Sequence, residues 1–179
     1  MKKIKHRFVD HKIDVNTEIL VVGTFNPETP ENIADFFYGR QRNFLWTLMP
    51  TAFGENSLKG KSISEKLDFI RKHKVDFIDL ICEVDVEEVA NYEDAYLDSR
   101  VKIWTNVVSQ LEQLPNIKKV FLTRKSFSGI PKMKIEIEKI KLFCEKKNIL
   151  FQCLPTPARF YRADKQEAWT KFLNDEKIK

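Results

Sequence analysis

Between residues 18 and 25 the chain reads Glu-Ile-Leu-Val-Val-Gly-Thr-Phe, a short apolar run rich in β-branched residues and closed by a glycine. It is too short for a core helix and lacks the alternation of a half-exposed strand, so it predicts a strand buried on both faces. A strand of that kind needs cover above and below. The rest of the chain must therefore supply layers on both sides of one sheet.

The downstream pattern supplies them. Residues 26–36, rich in Pro, Glu, Asn and Thr, have turn chemistry, and 43–49 resume a helical apolar pattern that Pro50 is expected to end. Ile63, Leu67 and Ile70 predict a helix over 62–73, followed by a strand over 75–81. A helix is expected over 100–113, a strand over 119–123, a helix over 131–147 with Pro131 in its first turn, a strand over 149–154 and a final helix over 165–173. Alternation of this kind predicts an α/β fold in three layers, α/β/α, around a central, mainly parallel four-stranded sheet. The 179 residues, 42% of them hydrophobic, suit a single domain spanning 1–179.

In such sheets ligands bind beyond the carboxyl ends of the strands, which directs attention to the loops after Phe25 and after Leu154. The net charge of +5 makes a polyanionic partner plausible. The acids Glu83, Asp85, Glu87, Glu88, Glu93, Asp94 and Asp98 follow one another without an intervening Lys or Arg. That segment is expected to be a solvated loop away from any DNA-facing surface. Three cysteines, Cys82, Cys144 and Cys153, are odd in number and far apart, which excludes a disulfide framework and gives no C-x-x-C pair for a metal. A reduced, cytoplasmic setting is expected, with no membrane association, because the basic amino-terminal residues lead into no apolar run.

The two loops carry the informative residues. The first reads Gly-Thr-Phe-Asn-Pro-Glu from Gly23 and Phe-Phe-Tyr-Gly-Arg-Gln-Arg-Asn-Phe-Leu-Trp from Phe36; the second reads Leu-Pro-Thr-Pro-Ala-Arg-Phe-Tyr-Arg from Leu154. In content and order they resemble the uracil-DNA glycosylase superfamily, particularly its mismatch-specific and hypoxanthine-type branches. There a strand ends in a Gly-x-Asn-Pro or Gly-Ser-x-Pro turn, and an aromatic followed by x-x-Pro-x-Asn-x-Phe-Trp comes soon after. The resemblance implies the superfamily's fold and an enzyme of base excision repair. Such an enzyme flips a damaged or mismatched base out of double-stranded DNA and hydrolyses its N-glycosidic bond, acting as a monomer with no cofactor and no metal.

Residue by residue, the resemblance implies that Asn26 positions the attacking water and that Asn43 acts as a catalytic or base-reading residue. Phe25, Pro27 and Tyr38 would bind the flipped base, Tyr38 by stacking. Thr156 and Pro157 would clamp a phosphate, Arg159 and Phe160 would enter the minor groove and fill the vacated space, and Arg40 and Arg42 would add charge beside the backbone. Each residue also has a plain structural role open to it: Asn26-Pro27 as a turn, Tyr38 as a core aromatic, Asn43 as a helix cap.

The chain departs from the superfamily pattern in three places. Leu154 stands where the efficient uracil-removing branch has a histidine, and His6, His11 and His73 all lie outside both motifs. Gly-Thr-Phe-Asn-Pro has one residue more than Gly-x-Asn-Pro. The cysteine ligands of the iron–sulfur branches are absent. A non-catalytic or weakly active DNA- or nucleotide-binding protein on the same fold is therefore the second reading. A small-molecule hydrolase is the third, although no Gly-x-Ser-x-Gly elbow, P-loop or dinucleotide fingerprint is present.

Overall fold

A computed structural model describes residues 2–87 and 91–175. After a short strand β1 (Lys2–Lys5), the expected central strand is β2 (Ile19–Gly23), buried along its whole length. It lies inside a parallel sheet ordered β3-β2-β6-β7, with β3 (Val75–Asp79), β6 (Lys119–Leu122) and β7 (Leu150–Cys153). Alternate side chains of β2 serve opposite faces. Ile19 and Val21 join Phe77 and Phe121 under α1 (Leu45–Ala52), α2 (Ile63–His73) and α6 (Ala163–Leu173). Leu20 and Val22 join Val120 and Leu122 against α4 (Val107–Glu112) and α5 (Pro131–Lys146). The three-layer arrangement read from the sequence is the one present.

Glu18, just ahead of β2, ties the amino-terminal edge of this sheet together. Its carboxylate accepts from Lys74 and Lys118, both at 2.6 Å, the residues that lead into β3 and β6. The cavity described below is at the opposite, carboxyl-terminal edge.

Four local expectations need correction. The strand over 75–81 breaks at Leu80: β3 ends at Asp79, and β4 (Ile81–Val86) enters a second, antiparallel sheet ordered β1-β4-β5, with β5 (Val101–Trp104). The acidic stretch is thus partly strand. Glu83 and Asp85 face the lysines of both neighbours, with Lys3–Glu83 at 3.7 Å and Lys102–Asp85 at 3.1 Å, so pairing disposes of charge that was assigned to solvent. Glu88 lies outside the described residues. The helix expected over 100–113 is instead β5 followed by α4, because Val101-Lys-Ile-Trp is rich in β-branched and aromatic residues and finds a partner in β4. Asn106 begins α4 by accepting from Ser109 N–H.

Pro50 does not end α1 but sits inside it. Proline leaves the carbonyl four residues back without its usual donor. That carbonyl, on Trp46, instead accepts from Leu58 N–H at 2.7 Å and from the Ser57 hydroxyl at 3.3 Å. Asp98, also expected in solvent, is buried under the first turn of α5 and accepts from Lys132 and Met133 N–H at 3.0 and 2.7 Å. Among the described residues no helix is long and apolar enough to cross a membrane.

Candidate active site

The loop that follows β2 is long yet pinned at many points. Asn26 is buried; its carbonyl accepts from Arg7 N–H at 2.7 Å, and its side-chain Oδ1 accepts from Asn32 Nδ2. Asn32 Nδ2 also reaches the Pro27 carbonyl at 2.6 Å, and Pro27 bridges to His6. Phe36 and Phe37 fill the core, while Trp46 Nε1 donates to the Phe37 carbonyl at 2.8 Å. Tyr38 lies at the rim of that core, its ring 5.9 Å from that of Phe77. Its backbone turns through φ 56°, a left-handed conformation that stores about 1–2 kcal/mol for a residue with a Cβ. The turn carries the half-buried ring across the strand ends until its hydroxyl meets Thr123 Oγ1 at 3.0 Å.

The second loop is joined to the first. Asn43 and Ala158 form an isolated antiparallel bridge, Phe44 N–H donates to the Pro157 carbonyl at 2.9 Å and Arg159 N–H to the Arg42 carbonyl at 2.8 Å. The ammonium of Lys165, itself buried, donates to the carbonyls of Ala158 and Phe160, both at 3.1 Å. Burial lowers its pKa. These bonds hold Arg159 in the left-handed region at φ 78° and leave Phe160 54% exposed at the tip of the loop.

Together the loops enclose a cavity of about 630 Å³ over the carboxyl ends of β2, β3 and β6. This is within the range of small-molecule and cofactor sites, roughly 300–1,000 Å³. Phe25, Asn26, Tyr38, Arg40 and Asn43 from the first loop line it, facing Thr156, Pro157, Arg159 and Phe160 from the second. Two of the residues singled out in the sequence stay outside: Pro27 is buried against His6, and Arg42 is exposed with only its backbone engaged. Asn43 is also committed in part, since its Oδ1 accepts from Leu45 N–H at 2.9 Å at the start of α1. Leu154 is fully buried.

Several lining residues escaped the sequence reading. Thr123, Arg124, Lys125 and Ser126 follow β6, and Asp79 ends β3. The rule that drew attention to the loops after β2 and β7 applies equally to these strand ends and would have found them. Asp94, which opens the short helix α3 (Asp94–Leu97), carries no such signal; it corrects the expectation that the acidic segment avoids this surface, because it lines the cavity in an ion pair with Arg124. Burial raises the Asp94 pKa, while Arg124 and the Thr24 hydroxyl pull it down. Arg40, Arg124, Lys125, Arg159 and Lys165 outnumber Asp79 and Asp94, so positive charge predominates around the opening.

No protein-family model and no curated protein sequence matches the chain. Among solved structures, the fold is similar to the solution NMR structure of a candidate uracil DNA glycosylase from Methanosarcina acetivorans, with a TM-score of 0.61 and 18% sequence identity. The likeness covers 90% of this chain and 91% of that one. The chain therefore has the uracil-DNA glycosylase-like fold, in agreement with the resemblance carried by its two loops.

Proposed function

We propose that the protein is a monofunctional DNA glycosylase that takes a deaminated base out of duplex DNA and hydrolyses its N-glycosidic bond. One observation carries this reading: the two loops that resemble the superfamily's motifs, 131 residues apart at Gly23 and Leu154, converge on a single cavity rimmed by cations. The likeness to a candidate uracil DNA glycosylase supports it.

In this reading the phosphate backbone follows the basic rim, where releasing condensed counterions drives binding. Thr156 and Pro157 contact a phosphate. Arg159 and Phe160, held out by the Lys165 contacts, enter the minor groove and occupy the space of the flipped nucleotide. The base enters beside Tyr38 and Phe25, where stacking on an aromatic contributes about 1–3 kcal/mol. Asn26, immobilised by Asn32, orients a water toward C1′ of the sugar. Asn43 presents its amide N–H to the base or the water, since its oxygen is engaged at the helix start.

A second reading, a DNA-binding protein with weak or no chemistry, is favoured by a specific observation. The side-chain oxygens of both Asn26 and Asn43 already accept hydrogen bonds, and the second motif opens on a buried leucine where a histidine would steady the departing base. The experiment that separates the two is cleavage of duplexes carrying uracil, hypoxanthine or xanthine at enzyme excess. Alkali-labile strand scission at the lesion supports the glycosylase; salt-sensitive binding to abasic duplex without scission supports the binder.

A further inference from the structure

Attack of water at C1′ is faster when a neighbouring group takes its proton, and an asparagine amide cannot do so. Two carboxylates line the cavity, Asp79 and Asp94. Asp94 is engaged by Arg124 and by the Thr24 hydroxyl. Asp79, at the end of β3, is only 8% exposed and is held differently.

Asp79 Oδ2 accepts from His6 Nε2 at 2.7 Å. The other ring nitrogen, Nδ1, accepts from Phe8 N–H at 3.0 Å, so it carries no proton. His6 is thus the neutral Nε2–H tautomer, packed among the rings of Phe8, Phe25 and Phe37. It orients the carboxylate without neutralising it. Among the described residues no donor holds the second oxygen, Oδ1. That oxygen lies over Gly23: a Cβ added there would stand 2.1 Å from Oδ1 and 2.5 Å from the Tyr38 hydroxyl, so only glycine leaves room for both groups at the end of β2.

The charge of Asp79 reaches three ionisable groups around it. Burial raises the Tyr38 phenol and Asp79 raises it further. Burial raises Asp94, Arg124 and Thr24 oppose the rise, and Asp79 adds to it; burial lowers Arg40, and Asp79 counters. A negative charge so placed also faces the positive charge that develops on the sugar as the glycosidic bond breaks.

We propose that Asp79 is the catalytic base of this cavity and that His6 is its positioning residue. This rests on the glycosylase reading. Asp79 Oδ1 takes one proton from water, the water oxygen bonds to C1′, and the C1′–N bond breaks with its electron pair leaving on the base. The base gains a proton from solvent, and Asp79 returns its own to solvent. Asn26 orients the water, and Asp79 activates it.

The test is single-turnover cleavage of the lesion duplex from about pH 3.5 to pH 9 by the wild type, Asp79→Asn, Asp79→Glu, His6→Phe and His6→Gln, with abasic-duplex binding and thermal melting measured on each. The wild-type rate is expected to fall on the acid side. Asp79→Asn is expected to lose about 100-fold or more in rate and to lose that acid limb while still binding abasic duplex. His6→Phe is expected to lower the rate about tenfold and displace the limb, and His6→Gln, which restores an N–H donor, to recover part of it. Should Asp79→Asn fail to fold, Asp79→Glu is expected to keep an acid limb at reduced rate. Asp79→Asn cleaving like the wild type with the same limb overturns the proposal, as does an Asp79→Glu protein that cleaves without an acid limb. Either result in a cleaving wild type leaves the glycosylase reading standing. A wild type that cleaves no base removes both.

Discussion

Asn43 pairs with Ala158 through an isolated antiparallel bridge, and this short contact fastens the loop after β2 to the loop after β7. Neither loop makes the cavity alone: the first supplies the residues at the strand ends, the second supplies the rim. Because the bridge uses backbone atoms, the Asn43 side chain is free for a second task. Its oxygen accepts from Leu45 N–H at the start of α1, and its amide nitrogen remains available.

Those two tasks separate by substitution. Asn43→Ala removes the acceptor for Leu45 N–H and should cost about 1 kcal/mol of stability. Asn43→Asp keeps the acceptor and should melt close to the wild type. If the amide serves the reaction, both variants lose cleavage by about tenfold or more, a transition-state loss of about 1.4 kcal/mol. Melting curves and single-turnover rates on the same preparations check this; an Asn43→Asp protein with full activity would confine the residue to capping.

Arg159 is exposed at the cavity mouth, with its backbone fixed by Arg42 and by the left-handed turn. Arg159→Ala should weaken binding to abasic duplex and reduce the slope of log K against log salt by about 1, as expected for the loss of one phosphate contact. Titrations at several salt concentrations measure the slope. An unchanged slope would place this guanidinium away from the backbone.

Stability and chemistry should respond to pH through different carboxylates. Hydrogen bonds from Lys118 and Lys74 hold Glu18 below its ordinary value of 4.5, so its folded pKa is depressed relative to the unfolded chain. The stabilisation is present above 4.5 and is lost as pH falls from there through the folded value, because the unfolded chain binds the proton first. Glu18→Gln should therefore lower the melting temperature at neutral pH and leave it nearly unchanged in acid. The effect should be small, about 1 kcal/mol or less for a pair with partly exposed partners. Cleavage should not change, since Glu18 sits at the far edge of the sheet.

The parallel sheet was legible because β2, β6 and β7 are short apolar runs flanked by helical patterns, and β2, buried along its whole length, leaves little room for another reading. The second sheet was not. Val101-Lys-Ile-Trp is four residues long and fits a helix or a strand until its partner β4 is known, and the acids of β4 look like solvent-facing residues until the lysines of β1 and β5 are placed beside them. At the cavity, Asn26, Tyr38, Asn43 and Arg159 stood out because they occur inside recognisable loops. Asp79 and His6 did not: 73 residues separate them, and only the strand order brings them to 2.7 Å. Asp94 was hidden for a similar reason, since nothing local shows that its partner is Arg124.

A cavity that breaks an N-glycosidic bond leaves an alkali-labile abasic site where the lesion stood. The most direct measurement incubates the wild-type protein, in excess, with duplexes carrying uracil, hypoxanthine or xanthine, then treats them with alkali and resolves the strands. Scission is expected at the lesion in at least one of these duplexes, and none in the undamaged control. Intact strands with every lesion, from protein that still binds abasic duplex, would contradict it.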